Sequence, residues 1–336
     1  MNRVRAIWIL FLCTVLHFLG CSGSYRLVEF EVLEPAPIEF PDQVELLLIT
    51  NRLPQHHNFL DSSGISKLSK QQLLILDTLI TKNIFRGLNE VLKQSPIASF
   101  QSPVWSSERP TELLDADYMA LTKREVSGLC NENKTDAVIS LEWCTFKMEF
   151  YCSRFEEDAI YLVYRTILQT NWNIYLPANP LPFHEYHLVD TLYYSANYED
   201  ASSPNSSVSE AVRDISYESG FNYGCLLTPV WNITNRNVFS GGNPYLRNGA
   251  RDTKKGEWDR ALKEWIYLSN SGDNTEIAKS FHNMAIYYEL EDNLDSASHL
   301  INQAVLYDTL PLIKGYQEEI NDRVQKRTTV VRQVER

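Results

Sequence analysis

The chain has no apolar run long enough to cross a bilayer. A spanning helix takes roughly 20 such residues, and the stretch Ala6–Leu19 is shorter and is broken by Thr14 and His17. Positive charge is scarce: 31 Lys and Arg stand against 43 Asp and Glu, a formal net charge of −12. A surface of that sign repels phosphate backbones, so nucleic acid is not an expected partner. None of the six cysteines stands in a CxxC pair or at a metal-like spacing. The motifs GxGxxG, GxSxG and HExxH and the P-loop are all missing. No catalytic residue, cofactor site or metal site is assigned on this basis. No small-molecule substrate is inferred, and an enzyme is not expected.

What is present begins at the front. Arg3 and Arg5 precede the apolar run, which ends in Leu19-Gly20-Cys21. A charged start, an apolar middle and a small residue before a cut form the layout of a secretory signal. Leu19-Gly20-Cys21 resembles the lipobox of bacterial lipoproteins. That resemblance implies removal of residues 1–20, a diacylglycerol on the Cys21 thiol, and usually acylation of the new amino group as well. Two or more acyl chains make a durable anchor where one holds only marginally. Cleavage removes Arg3 and Arg5 and no acid, moving the formal charge from −12 to −14. So acidic a chain has its main membrane contact through the lipid. By resemblance to lipoprotein sorting, Ser22 in the second mature position implies the outer membrane. No acidic cluster follows Cys21, and the expected location is the periplasmic face of the envelope.

From residue 21 to 240 the pattern is that of a mixed α/β domain. Residues 26–33 alternate polar and apolar and predict a strand. Val44–Thr50 is continuously apolar and predicts a strand covered on both faces. A polar loop over 51–68 includes His56 and His57. Ser69-x-x-Gln72 resembles a capping box, followed by Leu73, Leu76, Ile80, Ile84, Leu88 and Val91 at helical spacing. Ile97–Phe100 is read as a short strand and 108–117 as a loop. Thr122-x-x-Glu125 opens a second helix with Val126 and Leu129 inward. From Ala137 a long antiparallel hairpin is expected. Val138, Cys144, Phe146, Met148 and Phe150 lie on one parity, with a turn at 154–158. Ile160, Leu162, Tyr164, Leu168, Trp172 and Ile174 form the dry face of the return strand, opposite Arg165, Gln169, Asn171 and Asn173. His184–Ser195 adds a third antiparallel strand. Ser207-x-x-Glu210 is read as the cap of a third helix containing Val212 and Ile215, and Trp231–Ser240 as a last strand. Cys130, Cys144, Cys152 and Cys225 are read as small buried apolar residues. Cys144 and Cys152, eight apart on one strand, are about 26 Å from each other and beyond bridging distance.

Gly241-Gly242-Asn243-Pro244 marks a boundary, after which the pattern is helical from 244 to 325. Two windows are alike. One contains Tyr245, Gly249, Gly256, Trp258, Ala261 and Trp265; the other Phe281, Ala285, Tyr288, Ala297, Ile301 and Ala304. The alanines at 261 and 297 are 36 residues apart, close to the tetratricopeptide period of about 34. This part resembles tetratricopeptide repeat proteins, whose small residues let paired helices cross closely. It departs from their pattern at Asn248, Asp252, Leu268 and Asp292, and Pro311 comes two residues late. Residues 312–324 are expected to cap the stack. Residues 326–336 form a basic tail, expected to be flexible. The fold class is α+β: a mixed α/β domain followed by an all-α repeat domain. Together these features resemble uncharacterised bacterial lipoproteins with an α/β front and a tetratricopeptide-like tail.

His184-Glu185-Tyr186-His187 offers candidate metal ligands, but on a strand positions three apart face opposite sides. The expectation is a lipid-anchored adapter that binds a protein partner in the cell envelope, with Trp258, Trp265, Tyr287 and Tyr288 as candidate contacts. The alternatives are a subunit of an outer-membrane secretion or assembly complex, by similarity of element order to small envelope α/β domains, and a metal-dependent hydrolase built on His184, Glu185 and His187.

Overall fold

The computed structural model describes residues 25–53, 70–106, 120–156, 159–197 and 204–335. The signal segment, Cys21, His56 and His57, and the whole 108–117 loop lie outside these residues. Among the described residues no helix is long and apolar enough to cross a membrane. Two compact units are present. One combines the described residues of 35–230 with 330–335, and the other combines 25–34 with 231–329.

The first unit is built on a five-stranded sheet. Its strands are β2 (Leu47–Asn51), β3 (Val104–Ser106), β4 (Ala137–Glu156), β5 (Ala159–Tyr175) and β6 (His184–Asn197), in the order β3-β2-β4-β5-β6. β2 runs parallel to β3 and β4, while β4, β5 and β6 form an antiparallel meander. Leu47, Leu48 and Ile49 of β2 are successive apolar residues because both faces of the strand are covered. Leu47 and Ile49 point into a core under α1 (Lys70–Lys93) and α3 (Pro204–Leu227). Leu48 points the other way, towards α2 (Lys123–Asn133) with Val126, Cys130, Val138 and Tyr175. The unit is thus an α/β sandwich with helices on both faces of its sheet.

Local signals explain the helices. Thr122 and Glu125 form the expected reciprocal capping box at the start of α2. Leu76, Ile80, Ile84, Leu88 and Val91 form the buried stripe of α1. Helices α1 and α3 touch backbone to backbone. A Cβ on Gly87 would lie 2.0 Å from the Tyr217 carbonyl oxygen, and one on Gly220 would lie 1.8 Å from that of Ile84.

Four sequence expectations are corrected in this unit. Residues 98–101 form a 3-10 turn, with the Ile97 N–H donating to Ser95 Oγ at 3.0 Å. The strand is β3 just beyond, whose three residues pair with β2. Ser207 lies inside α3, which already begins at Pro204. The parity of β4 changes at a bulge between Leu141 and Trp143. Ala137, Ile139 and Leu141 face the α1/α3 core, as do Cys144, Phe146 and Met148, whereas Val138 faces α2. The extra residue of a bulge restarts the alternation, so a single parity fails across it. Finally, the basic tail is helical. Gln333 is buried, and its amide accepts from the Ala36 N–H at 2.9 Å and donates to the Ala36 carbonyl at 3.0 Å, while Arg332 pairs with Glu39 at 2.8 Å.

The second unit pairs β1 (Tyr25–Glu34) with β7 (Val230–Phe239) and adds α4 (Pro244–Thr253), α5 (Trp258–Ser269), α6 (Asn274–Leu290), α7 (Leu294–Tyr307) and most of α8 (Pro311–Val334). β7 therefore packs with the helices, and this compact unit takes up the chain again at Trp231. One core joins Val28, Val238 and Phe239 of the strands to Trp265, Ala285, Ile301 and Ile320 of the helices.

Candidate functional site

The helical unit carries its most polar chemistry where β7 meets α6 and α8. Glu289 on α6 is fully enclosed. Arg236 of β7 donates to it twice, through Nε and Nη2, both at 2.8 Å. Arg323 of α8 donates at 2.7 Å and the Tyr316 hydroxyl at 2.8 Å. Burial by itself would raise the Glu289 pKa. The bonds and charges of Arg236 and then Arg323 outweigh it and hold the carboxyl below its ordinary value. Such a carboxylate has its lone pairs occupied and stays ionised, so it acts as a clasp and is not placed to accept a substrate's proton.

Beside it, Asn283 of α6 clamps the β7 main chain. Its Oδ1 accepts from the Phe239 N–H at 2.8 Å and its Nδ2 donates to the Phe239 carbonyl at 2.9 Å. His282 lies between the rings of Phe239 and Tyr316, each 4.9 Å away, and its Nε2 bonds the Asn237 carbonyl at 2.9 Å. Burial pushes its pKa down to about 4, so at neutral pH the ring is uncharged and Nε2 is the donor. The inner side of α6 is thus filled by the chain's own strand.

The candidate contact residues separate. Trp265 is 0 % exposed and belongs to the core, filling the space left by Gly249, where a Cβ would lie 2.3 Å from its indole nitrogen. Its large area makes it a core residue first. Trp258, Tyr287 and Tyr288 are half-buried. The Tyr287 hydroxyl donates to Asp259 at 2.8 Å, and that bond is the main cause of a pKa pushed up to about 12. These residues line the loop that follows α4 and the loop that follows α6.

The opposite end of the helix pairs has an apolar surface that sequence reasoning missed. Asn243 donates to Glu276 at 2.8 Å and Thr275 to Asp308 at 2.6 Å, which gathers the starts of α4 and α6 with the end of α7. Tyr245 packs against Tyr267 at 4.5 Å and Phe281 against Tyr307 at 5.7 Å. Tyr267 is 54 % exposed and Leu306 77 %, and Ile266 is also exposed. The available signal was that the last turns of α5 and α7 each carry an aliphatic residue followed by tyrosine, Ile266-Tyr267 and Leu306-Tyr307.

In the sheet unit the bulge in β4 buries a second carboxylate. Glu142 accepts from Arg52 at 2.6 Å, Ser140 at 2.6 Å and Tyr175 at 2.8 Å. His184 and His187 face opposite sides of β6. His184 stacks on Tyr186 at 5.7 Å, while His187 lies 6.0 Å from Trp143. The histidine pair behind the hydrolase alternative therefore does not converge. Cys130 and Cys144 are buried free thiols, and Cys225 is half-buried and free.

An α/β sandwich joined to a helical unit clasped around its own strand is the class of protein seen here. Residues 44–239 match the family described as Domain of unknown function (DUF8603), and the chain belongs to that family. Residues 247–322 match a second, Domain of unknown function (DUF6340). No curated protein matches. Among solved structures the chain is similar to a Helicobacter pylori protein described as a neuraminyllactose-binding hemagglutinin homolog (8% identity, 66% of this chain and 99% of that one, TM-score 0.33). It is also similar to a minor lipoprotein of Acinetobacter baumannii (11% identity, 53% and 87%, TM-score 0.24). A third is the PelC dodecamer of Paraburkholderia phytofirmans (5% identity, 60% and 99%, TM-score 0.22).

Proposed function

We propose that the protein is a lipid-anchored adapter of the cell envelope, acylated at Cys21, that binds a protein partner through its tetratricopeptide-like helices. The observation that carries this is the exposed apolar end formed by Ile266, Tyr267, Leu306 and Tyr307. Exposed apolar clusters on a rigid scaffold mark interaction sites more often than scattered single residues do. Support for the repeat reading comes from the small residues: Ala261, Ala285, Ala297 and Ala304 are all fully buried. β7 fills the inner side of α6, so the partner is expected at the open end of the helix pairs. Asp273, Glu276 and Asp308 border that end, which favours a partner segment with apolar side chains and a basic flank. The address proposed is the outer membrane, facing the periplasm.

The test is photo-crosslinking in intact cells from Tyr267 and Leu306, with Lys254 at the far end of α4 as control. Capture of one and the same envelope protein from both positions, but not from Lys254, and its loss on Leu306→Asp, is the expected result. Equal labelling from all three positions, or none, would count against the adapter.

A further inference from the structure

The five-stranded sheet ends on two unequal edges. β3 has three residues and follows Pro103, so that edge is short and blunted. β6 has fourteen residues and pairs with β5 along its whole length without a register shift. It contains no lysine, arginine or proline and no bulge, which are among the devices that shield a strand edge. It is the last strand in the sheet order, and among the described residues no strand pairs with its outer edge. On the face turned away from α3 it presents Glu185, His187, Val189, Thr191 and Tyr193, with Val189 54 % and Tyr193 67 % exposed.

We propose that β6 pairs with β6 of a second copy of this chain, antiparallel about a two-fold axis at Thr191, joining two sheets into one. A two-fold axis normal to the sheet runs the strands antiparallel and makes the contact self-complementary. It also keeps each face of the sheet continuous, so residues directly opposite each other must share a face and the axis must pass midway between one residue and its own copy. An axis at Asp190 would set two carboxylates opposite one another, which is destabilising. That side chain is already engaged on the helix-covered face, where Asn222 donates to it at 2.8 Å. An axis at Thr191 pairs Val189 of each copy with Tyr193 of the other, on either side of a Thr191–Thr191 pair. Branched–aromatic and threonine pairs are favourable cross-strand neighbours, and the two most exposed apolar side chains of the strand become covered. The two Glu185 carboxylates are kept about 40 Å apart. Pairing β6 with the β3 edge of another copy would instead match fourteen residues to three and leave most of the edge bare.

Three single-cysteine substitutions in the full-length chain test the register. Opposed Cα atoms of an antiparallel pair lie about 4.5–5.5 Å apart, within disulfide reach. Thr191→Cys should therefore give a disulfide-linked dimer on mild oxidation. The two copies of Val189→Cys would sit about 14 Å apart and should not bridge. Val189→Cys mixed with Tyr193→Cys should bridge. Thr191→Lys, at an exposed position, should halve the mass seen by light scattering while leaving the circular dichroism unchanged. If that variant misfolds, the cysteine pattern decides alone. A single-chain mass for the unmodified protein at every concentration would overturn the proposal. So would Thr191→Cys bridging no more than the unmodified chain, or Thr191→Lys leaving the dimer intact. A strand from a different protein on this edge would show as a mixed complex without Thr191→Cys bridging, and would equally overturn it.

Discussion

The Asn283 amide gives the Phe239 backbone the two hydrogen bonds that a neighbouring strand would supply. Asn283→Ala leaves a buried N–H and a buried C=O unpaired, and should lower stability by about 2–4 kcal/mol in chemical denaturation. Glu289 and His282 make the same clasp sensitive to acid. The Glu289 pKa is lowered in the folded state, so its contribution is present above the unfolded value and is lost as pH falls through the folded one. His282 titrates at about 4 when folded against 6.5 when unfolded. Between those values the unfolded chain binds the extra proton, so stability rises with pH. With Arg236 and Glu289 as the charges facing the ring, the expected loss on going from pH 7 to pH 4 is up to about 3 kcal/mol from His282 alone. His282→Gln keeps a donor for the Asn237 carbonyl and should flatten the dependence of urea midpoint on pH between 4 and 6.5. A variant with an unchanged slope would show that the ring does not carry it. None of these residues stood out in the sequence, because an asparagine, a glutamate and a histidine inside one amphipathic helix look like its wet face until a strand is laid on them.

At the scale of elements, helix stripes and caps were legible and crossings were not. Leu76, Ile80, Ile84 and Leu88 announce α1 by spacing alone, and Thr122 and Glu125 announce α2. Which helix faces Gly87 cannot be read from α1, since the contact is with Tyr217 and Phe221, 130 and 134 residues later. Gly87→Ala or Gly220→Ala drives a methyl group into backbone and should destabilise the sheet unit by about 3 kcal/mol or more, read from its thermal or denaturant midpoint. The tail shows the converse. Its charges predicted a solvated end, whereas Gln333 reaches the Ala36 main chain in both directions. Gln333→Ala should cost about 1–3 kcal/mol, where a frayed end would show no change. The β4 bulge belongs here too, since a one-residue irregularity has no period to reveal it and yet reverses every inside–outside assignment beyond it.

For the whole molecule, the predictions concern address and assembly. Cys21→Ala should move the protein from the membrane fraction to the soluble one, and the intact mass of the processed chain should lose its acyl increment. Retention of the variant in membranes would show that something other than lipid at Cys21 holds the chain there. The division into units has a lesson of its own. Glycine and proline at 241–244 mark a real turn, since Asn243 caps α4, but the compact unit gathers β7 from before it and β1 from the other end of the chain. Pairing strands so far apart in sequence leaves no local trace.

By itself the sequence determined the α+β class, the long hairpin, the helical second half and the order of nearly every element, because each rests on short-range periodicity, capping and turn chemistry. Tertiary structure alone decided that Trp265 is core, that the helices close on their own strand, and that among the described residues no strand pairs with the outer edge of β6. Those outcomes depend on which surfaces meet, and burial of apolar area is indifferent to separation along the chain.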